Sequence, residues 1–299
     1  MTLPSIVLVA SELRELAGES PEWPGVVAIV PLVSQPVGEP ELDRYPALRV
    51  VANYGVGTDN LDVAAIRARG VEVTNTPDVL TDATADLAMG LILAAARRLR
   101  EGLDLARGGA WEGWHPTQLL GMGLQEKRLG ILGAGRIGFA TARRARAFGM
   151  EILYWDRSGS GELERQLAAR RVTRLDELLE SADVVSVHVP LSEETANLLD
   201  ARRLALIGPD GILVNTARGA IVDQDALARA LRSGRLGAAG LDVFASEPAI
   251  PSALRDLPNC FVLPHLGSAT RETRQAMWDL AASNVRSVLS NTDPPTPVR

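Results

Sequence analysis

The sequence predicts an α/β protein with one doubly wound parallel sheet and a second, smaller α/β domain. Between 128 and 263, six short apolar runs alternate with helical patterns. Alternation of this kind builds a parallel sheet with helices on both faces. A glycine-rich turn follows the first of these runs. The first hundred residues repeat the alternation on a smaller scale, with runs at 5–10, 25–30, 48–53 and 71–74.

The smaller domain is expected to combine two separate parts of the chain. Its four runs are rich in Val and Ile, as in strands buried on both faces of a sheet. A helical segment at 81–98 is apolar nearly all round and is therefore expected to be buried. A last helix, 271–289, is expected to pack back on this domain. The predicted boundaries are 1–98 with 268–299 for a discontinuous flavodoxin-like domain and 99–267 for the larger domain, with a frayed tail after 293.

The larger domain follows a Gly- and Trp-rich loop at 107–123. Its predicted strands are 128–132, 151–155, 183–189, 211–215, 237–241 and 260–263. Helical patterns occupy 136–148, 175–180, 200–206 and 224–232.

Composition restricts the possible partners. The chain has 299 residues, a net charge of −6 and one cysteine, Cys260. The charge gives no indication of a nucleic-acid partner. A single cysteine allows no intrachain disulfide, and the histidines and acids show no metal-ligand spacing, so we expect no metal. The N-terminus lacks a basic leader, and the longest apolar run, 87–96, is too short to cross a bilayer. A cytoplasmic protein without a membrane partner is the resulting expectation.

The glycine-rich turn has the pattern of a dinucleotide-binding fingerprint, and each glycine has a distinct physical role. Gly133 would allow the tight turn, Gly135 the approach of a pyrophosphate, and Gly138 close packing of the helix on the strand. The helix N-terminus would offer N–H groups and a positive dipole end to the phosphates. Asp156 ends the next strand, 18 residues after Gly138, where an acid can bind the adenosine ribose.

Candidate catalytic residues lie after three successive strands of the larger sheet. His265 follows the last strand, Arg218 lies in a turn after 211–215, and Glu247 in a loop after 237–241. Ligands of open α/β sheets bind at these carboxyl-terminal strand ends. Only two other histidines exist: His188, interpreted as structural or adenine-lining, and His115, interpreted as a solvated loop residue. A hydride-transfer enzyme needs an acid/base and a cation for an anionic substrate, which this set would supply.

The chain resembles the D-isomer-specific 2-hydroxyacid dehydrogenases, most closely the glyoxylate/hydroxypyruvate reductases among them. The resemblance runs from about 50 to 273 and rests on several ordered motifs. These are Asn53-Tyr-Gly-Val-Gly-Thr-Asp-Asn60, Gly133 to Gly138, Asn215-Thr-Ala-Arg-Gly219, Gly240-Leu-Asp-Val-Phe244 with Glu247-Pro248, and Pro264-His-Leu-Gly267.

The resemblance implies roles for the residues that match its motifs. Arg218 would hold the substrate carboxylate and keto oxygen, and His265 would exchange a proton with that oxygen. Glu247 would orient the His265 ring and favour its imidazolium form. The backbone at Val56 and Gly57 would accept the substrate carboxylate. The smaller domain would thus bind substrate and the larger one the dinucleotide.

The cofactor implied is a nicotinamide dinucleotide. Asp156 should bond a 2′-hydroxyl and repel a 2′-phosphate, which favours NAD, whereas Arg157 could hold a phosphate and leaves NADP open. Asp242 would contact the nicotinamide carboxamide. The complete set of predicted cofactor contacts is Thr84, Gly133, Gly135, Arg136, Ile137, Gly138, Asp156, Arg157, Val189, Pro190, Thr195, Thr216, Ala217, Asp242 and Gly267.

The function expected from the resemblance is reduction of a small 2-keto acid, such as glyoxylate or hydroxypyruvate, to the D-2-hydroxy acid. Two alternatives stay open: a relative acting on phosphoglycerate, a sugar acid or phosphite, and an NAD(H)-sensing corepressor. We also expect a homodimer, because the helix 81–98 and the Trp-rich loop would leave apolar surface on a monomer.

Overall fold

A computed structural model describes Val7–Val9 and residues 25–299 of this protein. The described chain forms two compact units. The first comprises the described residues up to Leu80 together with Ser268–Arg299, and the second is Thr81–Gly267. The predicted strand at 5–10 is observed at Val7–Val9, and the remainder of that prediction lies outside the described residues.

The first unit is built on a four-stranded parallel sheet. Its strands are β1 (Val7–Val9), β2 (Ala28–Val30), β3 (Val50–Ala52) and β4 (Glu72–Thr74). They pair in chain order, with Ala28 opposite Val50 and Val50 opposite Glu72. The parallel α/β sheet predicted from Val- and Ile-rich runs is confirmed. This order is that of the strands which the structure describes.

Among the described residues of the first unit, three helices pack with this sheet, at Glu39–Arg44, Val63–Ala68 and Arg271–Leu289. Asp62 caps the second of them by accepting a hydrogen bond from the Ala65 N–H, and Thr270 caps the third through the Thr273 N–H. The long helix packs on β3 and buries Trp278 completely. Arg49 binds its C-terminal carbonyls at Val288 and Leu289.

The C-terminal tail is ordered against the first sheet, so the expectation that it frays is wrong. The Val298 N–H donates to the Val73 carbonyl at 2.8 Å, and Thr74 forms an antiparallel bridge with Pro297. The Thr296 N–H donates to Asn284 Oδ1 at 3.1 Å. The Pro-rich composition gave no indication of a packing partner for the tail. Its backbone nevertheless forms hydrogen bonds with the edge strand β4.

The second unit contains a seven-stranded parallel sheet. Its order is β11-β10-β9-β8-β5-β6-β7, the doubly wound order extended by one strand. The strand order reverses between β5 and β8, and this switch point lies at the glycine-rich turn. The strands are β5 (Arg128–Leu132), β6 (Glu151–Trp155), β7 (Arg170–Arg171), β8 (Val184–Val187), β9 (Ile212–Asn215), β10 (Ala238–Leu241) and β11 (Cys260–Val262).

Helices lie on both faces of this sheet. They are Thr81–Ala96, Leu99–Arg107, Arg136–Ala147, Gly161–Leu167, Leu175–Ser181, Ala201–Ile207, Gln224–Arg232 and Ser252–Arg255, with a 3₁₀ turn at Gly219–Ile221. Aspartates cap two of them, as the side chains of Asp200 and Asp223 accept the N–H groups of Arg203 and Ala226.

The helix Thr81–Ala96 belongs to the second unit, whereas the predicted boundary at 98 assigned it to the first. It packs on β9, β10 and the helix Arg136–Ala147. The contact with β10 is close, because a Cβ on Gly240 would lie 2.9 Å from Leu91 Cβ. Arg144 adds ion pairs to Asp82 and Asp86 at 2.9 and 2.5 Å. An all-apolar helix is expected to be buried, but its sequence does not specify which sheet buries it.

The Trp-rich loop retains exposed apolar side chains. Trp111, Trp114 and Leu120 are 60, 82 and 65% exposed. Leu99 and Leu103 on the preceding helix are also exposed. The helix Thr81–Ala96, in contrast, buries its apolar side chains within the second unit. Among the described residues, it has no large apolar side chain that is exposed. Across residues 25–299, no helix is long and apolar enough to span a bilayer.

Candidate active site

The glycine-rich turn after β5 has the geometry that the fingerprint predicts. Gly133 has φ +97°, and a Cβ there would lie 2.8 Å from backbone atoms of His188 and Val189. At Gly138 a Cβ would approach the Gly133 carbonyl to 2.1 Å, so only glycine permits the helix to sit this close. A Cβ on Gly135 would meet nothing within 4 Å. The space over Gly135 is therefore open to a ligand.

The helix Arg136–Ala147 begins at this open space. Its N-cap is Gly135, which has no side chain that could cap the first turn. The N-terminal end of a helix carries the positive end of its dipole and N–H groups directed along its axis, which suit an anion. This arrangement fits a dinucleotide pyrophosphate. Arg136 and Ile137 occupy the first helical positions, and their predicted cofactor contacts stay predictions.

Asp156 lies where β6 ends and faces the glycine-rich turn. Its Oδ2 accepts the Ala134 N–H at 3.1 Å, and its Oδ1 accepts the N–H and hydroxyl of Ser158 at 3.0 Å each. Burial by itself would raise the pKa of Asp156, but these hydrogen bonds outweigh it and the pKa is lowered. A fixed negative charge therefore stands beside the turn. Neighbouring Arg157 forms an exposed ion pair with Glu194 at 3.0 Å.

His188 is held away from acid/base work by its surroundings. Its Nε2 lies 2.9 Å from Ser186 Oγ, and burial lowers the pKa of His188 to about 4. The ring is consequently neutral near pH 7, which agrees with its interpretation as a structural or adenine-lining residue. Its backbone N–H donates to the Leu132 carbonyl, which holds the His188 backbone against the glycine-rich turn.

His265 and Glu247 meet at the carboxyl ends of β10 and β11. His265 Nδ1 and Glu247 Oε2 are 2.7 Å apart, and Glu247 Oε1 accepts the Phe244 N–H at 3.0 Å. Burial would raise the pKa of Glu247, but the His265 hydrogen bond, the Phe244 N–H and the charges of His265 and Arg218 lower it. Glu247 is thus an ionised partner for Nδ1. The His265 side chain is 33% exposed, and Nε2 is its remaining nitrogen for a substrate.

The backbone of His265 adopts an unusual conformation that Asp242 holds in place. His265 has φ +55°, in the left-handed region that non-glycine residues seldom occupy. Three N–H groups of this loop donate to Asp242: His265 to its carbonyl, and Leu266 and Gly267 to its two carboxylate oxygens. Burial raises the pKa of Asp242 to about 6 despite these bonds. The sequence predicts a cofactor contact at Asp242 and gives no indication of this structural role.

Arg218 is presented by a turn that Asn215 closes. Asn215 Nδ2 donates to the Arg218 carbonyl at 2.9 Å, and its Oδ1 accepts the Ala217 N–H at 3.0 Å. Gly219 then passes so close to Phe244 that a Cβ would lie 2.1 Å from its backbone. This contact joins the turn after β9 to the loop that carries Glu247. The three predicted catalytic residues therefore lie at adjacent strand ends of one sheet.

Several predicted cofactor contacts gather beside Asp242. A Cβ on Gly267 would lie 3.4 Å from both Asp242 Oδ2 and Thr84 Cγ2. Thr216 is buried, and its hydroxyl has no partner among the described residues. An unpaired buried hydroxyl at a strand end fits a polar ligand group. Thr195 differs, because its hydroxyl donates to the Pro190 carbonyl at 2.7 Å and closes a turn. The contacts at Val189, Pro190, Thr195 and Ala217 stay predictions.

The loop after β3 in the first unit contains Val56 and Gly57, the predicted carboxylate-binding positions. Both are half-buried. Among the residues that the structure describes, neither N–H donates to a protein acceptor. Their carbonyls, in contrast, are bound by two asparagine side chains, Asn75 and Asn53. Sequence analysis did not assign a role to either asparagine. No group of His, Cys, Asp and Glu within 25–299 could hold a metal ion.

A doubly wound sheet with an open dinucleotide turn and a charged acid/base set at its strand ends defines a nicotinamide-dependent oxidoreductase. Residues 89–267 match the model of the D-isomer specific 2-hydroxyacid dehydrogenase NAD binding domain. The chain belongs to this family.

Named relatives agree with the family assignment. A glyoxylate reductase from Thermococcus litoralis is 46% identical over 90% of this chain and 82% of its own. Among solved structures, the TT0316 protein from Thermus thermophilus has a TM-score of 0.89 and 44% identity, with complete coverage of both chains. An NADPH-dependent glyoxylate/hydroxypyruvate reductase from Sinorhizobium meliloti, in complex with NADP and malonate, has a TM-score of 0.84 and 39% identity, covering 97% of this chain and 86% of that one.

Proposed function

We propose that this protein reduces glyoxylate or hydroxypyruvate with NADH, giving glycolate or D-glycerate. The observation that carries the proposal is the 2.7 Å pair of His265 and Glu247, placed with Arg218 at adjacent strand ends beside an open dinucleotide turn. Relatives at 46 and 47% identity that are named glyoxylate reductase favour this substrate class.

Each residue has a defined task in the reduction. A bound nicotinamide dinucleotide would supply the hydride for reduction of the carbonyl carbon. His265 Nε2 delivers a proton to the carbonyl oxygen, while Glu247 holds Nδ1 and fixes the orientation of the ring. Arg218 offsets the negative charge that develops on the oxygen. The reverse reaction uses the same groups, with His265 removing the hydroxyl proton.

The first unit contributes to binding. We assign the backbone N–H groups at Val56 and Gly57 to the substrate carboxylate, because they are half-buried and donate to no described protein group. A small, charged substrate needs such donors, since it offers little apolar surface to bury.

NADH is the cofactor that we propose over NADPH. The ionised Asp156 would repel a 2′-phosphate and accept a 2′-hydroxyl instead. Arg157, the nearby cation suited to a phosphate, is already paired with Glu194. Gly133, Gly135 and Gly138 with the N-terminus of the helix Arg136–Ala147 would hold the pyrophosphate, and Thr216 and Asp242 would line the nicotinamide side.

A rate matrix tests the proposal. Initial rates at 340 nm would be measured with NADH and NADPH for glyoxylate, hydroxypyruvate, pyruvate and 3-phosphohydroxypyruvate. We expect glyoxylate or hydroxypyruvate with NADH to give the highest kcat/KM. Preference for 3-phosphohydroxypyruvate would establish the phosphoglycerate alternative. NADH binding without turnover of any keto acid would overturn the reductase function and favour a sensor.

A homodimer built around the Trp-rich loop is the assembly that we propose. Trp111, Trp114 and Leu120 are exposed apolar side chains of one loop, and protein interfaces cover side chains of this kind. Light scattering at low micromolar concentration should give twice the chain mass, and Trp114→Ser should lower it. A monomeric wild-type protein would contradict this assembly.

A further inference from the structure

The loop after β3 is held by its carbonyl groups. Asn75 Nδ2 donates to the Val56 carbonyl at 2.8 Å, and Asn53 Nδ2 donates to the Gly57 carbonyl at 2.6 Å. Two consecutive peptide groups are therefore each fixed by one asparagine side chain. Because both bonds lie within the first unit, they are independent of the catalytic strand ends.

The geometry of the peptide group converts these bonds into an orientation of the N–H groups. In a trans peptide the C=O and N–H point in opposite directions. Asn75, by holding the Val56 carbonyl, directs the Gly57 N–H away from itself, and Asn53 does the same for the Thr58 N–H. Among the described residues, neither of these N–H groups donates to a protein acceptor. Directed backbone N–H groups are donors suited to an anion.

Asn75 is itself anchored. Its carbonyl accepts hydrogen bonds from Thr296 Oγ1 at 2.7 Å and from Asn284 Nδ2 at 3.3 Å. The following Thr76 N–H donates to the Gly55 carbonyl at 3.0 Å. The ordered tail and the C-terminal helix thus fix the backbone from which the Asn75 side chain reaches the loop. An asparagine meets the requirement because it donates without charge, whereas an aspartate would repel a bound carboxylate.

We propose that Asn75 is a positioning residue for substrate binding: it orients the Val56–Gly57 peptide so that its N–H receives the substrate carboxylate. Asn53 acts likewise on the next peptide. This inference rests on the proposed function, because it concerns how that function's substrate is held. The substrate carboxylate is bound in the ground state and in the transition state alike. Loss of the N–H that binds it should therefore raise KM more than it lowers kcat.

The test compares Asn75→Ala and Asn75→Asp with Asn259→Ala. Asn259 is a matched control, because its Nδ2 also binds main-chain carbonyls, those of Leu231 and Gly237, but in the second unit. We expect Asn75→Ala to raise the glyoxylate KM roughly 10-fold or more, with kcat within about 3-fold of wild type. Asn75→Asp should raise KM further, since it replaces a donor by a negative charge. Asn259→Ala should leave KM unchanged.

Two additional measurements separate positioning from general damage. The Kd for NADH should be unchanged in both Asn75 variants, and the Kd for oxalate in the presence of NADH should rise with the glyoxylate KM. For glyoxal, which has no carboxylate, kcat/KM should be equal in Asn75→Ala and wild type. An unchanged Kd for oxalate in Asn75→Ala would overturn the role of Asn75. The same would follow if Asn75→Ala lowered kcat/KM for glyoxal as much as it does for glyoxylate. A wild-type protein without glyoxylate turnover would overturn the proposed function, and this inference with it.

Discussion

The two parallel sheets use their carboxyl-terminal edges in different ways. At the seven-stranded sheet, the proposed catalytic groups are the side chains of Arg218, Glu247 and His265. At the four-stranded sheet, the polar side chains of Asn53 and Asn75 bind main-chain carbonyls, and backbone N–H groups are the donors that we propose for the substrate. Side-chain chemistry can be recognised from residue types and spacing. Backbone chemistry depends on which groups hold the backbone, which is a tertiary property.

The largest effect on activity should come from the proposed catalytic side chains at the edge of the seven-stranded sheet. His265→Ala removes the proton donor, so we expect kcat to fall by about 10²- to 10⁴-fold. The Kd for NADH, measured by fluorescence, should change little, because the glycine-rich turn is untouched. Glu247→Gln should cause a smaller fall, since it leaves the imidazole in place. Turnover near the wild-type rate in His265→Ala would contradict the catalytic assignment.

Two glycines of the dinucleotide turn should respond differently to an added methyl group, because the protein leaves space for it at Gly135 and none at Gly138. Gly138→Ala forces a Cβ to within 2.1 Å of the Gly133 carbonyl, so we expect a loss of about 1–3 kcal/mol of stability. Gly135→Ala meets no protein atom within 4 Å and should keep the wild-type Tm. Its methyl group would occupy the open space, and NADH affinity should fall about 10-fold or more. Equal Tm values for the two variants would refute the steric distinction.

Asp242 predicts a pH dependence of stability. Its pKa is raised to about 6 from 3.8, so the folded state binds a proton more tightly than the unfolded chain. Wild type should therefore lose stability relative to Asp242→Asn as the pH rises from about 4 to about 6. The shift corresponds to about 3 kcal/mol. Urea unfolding of both proteins at several pH values measures the difference, and Asp293→Asn, an exposed site, is the control. A pH-independent difference would exclude the buried charge.

The smallest effect concerns cofactor choice. Asp156→Asn removes the charge beside the turn while keeping a hydrogen-bonding side chain. We expect the ratio of kcat/KM for NADH over NADPH to fall about 10-fold, because repulsion of the 2′-phosphate is lost. Glu194→Gln, which releases Arg157, should move the ratio in the same direction. An unchanged ratio in both variants would show that discrimination lies elsewhere.

Sequence reasoning succeeded where periodicity and spacing are local. All six strands predicted for the larger sheet are present, because short apolar runs buried on both faces are distinctive. The two-residue strand Arg170–Arg171 was missed, since it is exposed at an edge and carries no apolar pattern. The helix Gly161–Leu167 was also missed, although Ser160 is a capping residue. Its surface position leaves only a single buried side chain, Leu163.

The errors concern the packing partners of segments. The helix Thr81–Ala96 was correctly expected to be buried, but it lies in the second unit, where Gly240 permits Leu91 to approach. The tail after 293 was expected to fray, yet it pairs with β4 and supports Asn75. The composition of each segment indicates whether it is apolar or Pro-rich. It does not indicate which sheet or strand the segment packs against.

The sequence by itself determined the parallel α/β architecture and the dinucleotide turn, and it singled out Arg218, Glu247 and His265 as catalytic candidates. Those features depend on glycine sterics, strand patterns and side-chain chemistry, which are properties of the residues themselves. The tertiary structure alone decided that Asp242 holds the strained His265 loop and that Asn53 and Asn75 hold the loop after β3. These roles arise from hydrogen bonds between residues distant in the chain, because a side-chain amide or carboxylate has no preferred partner until folding supplies one.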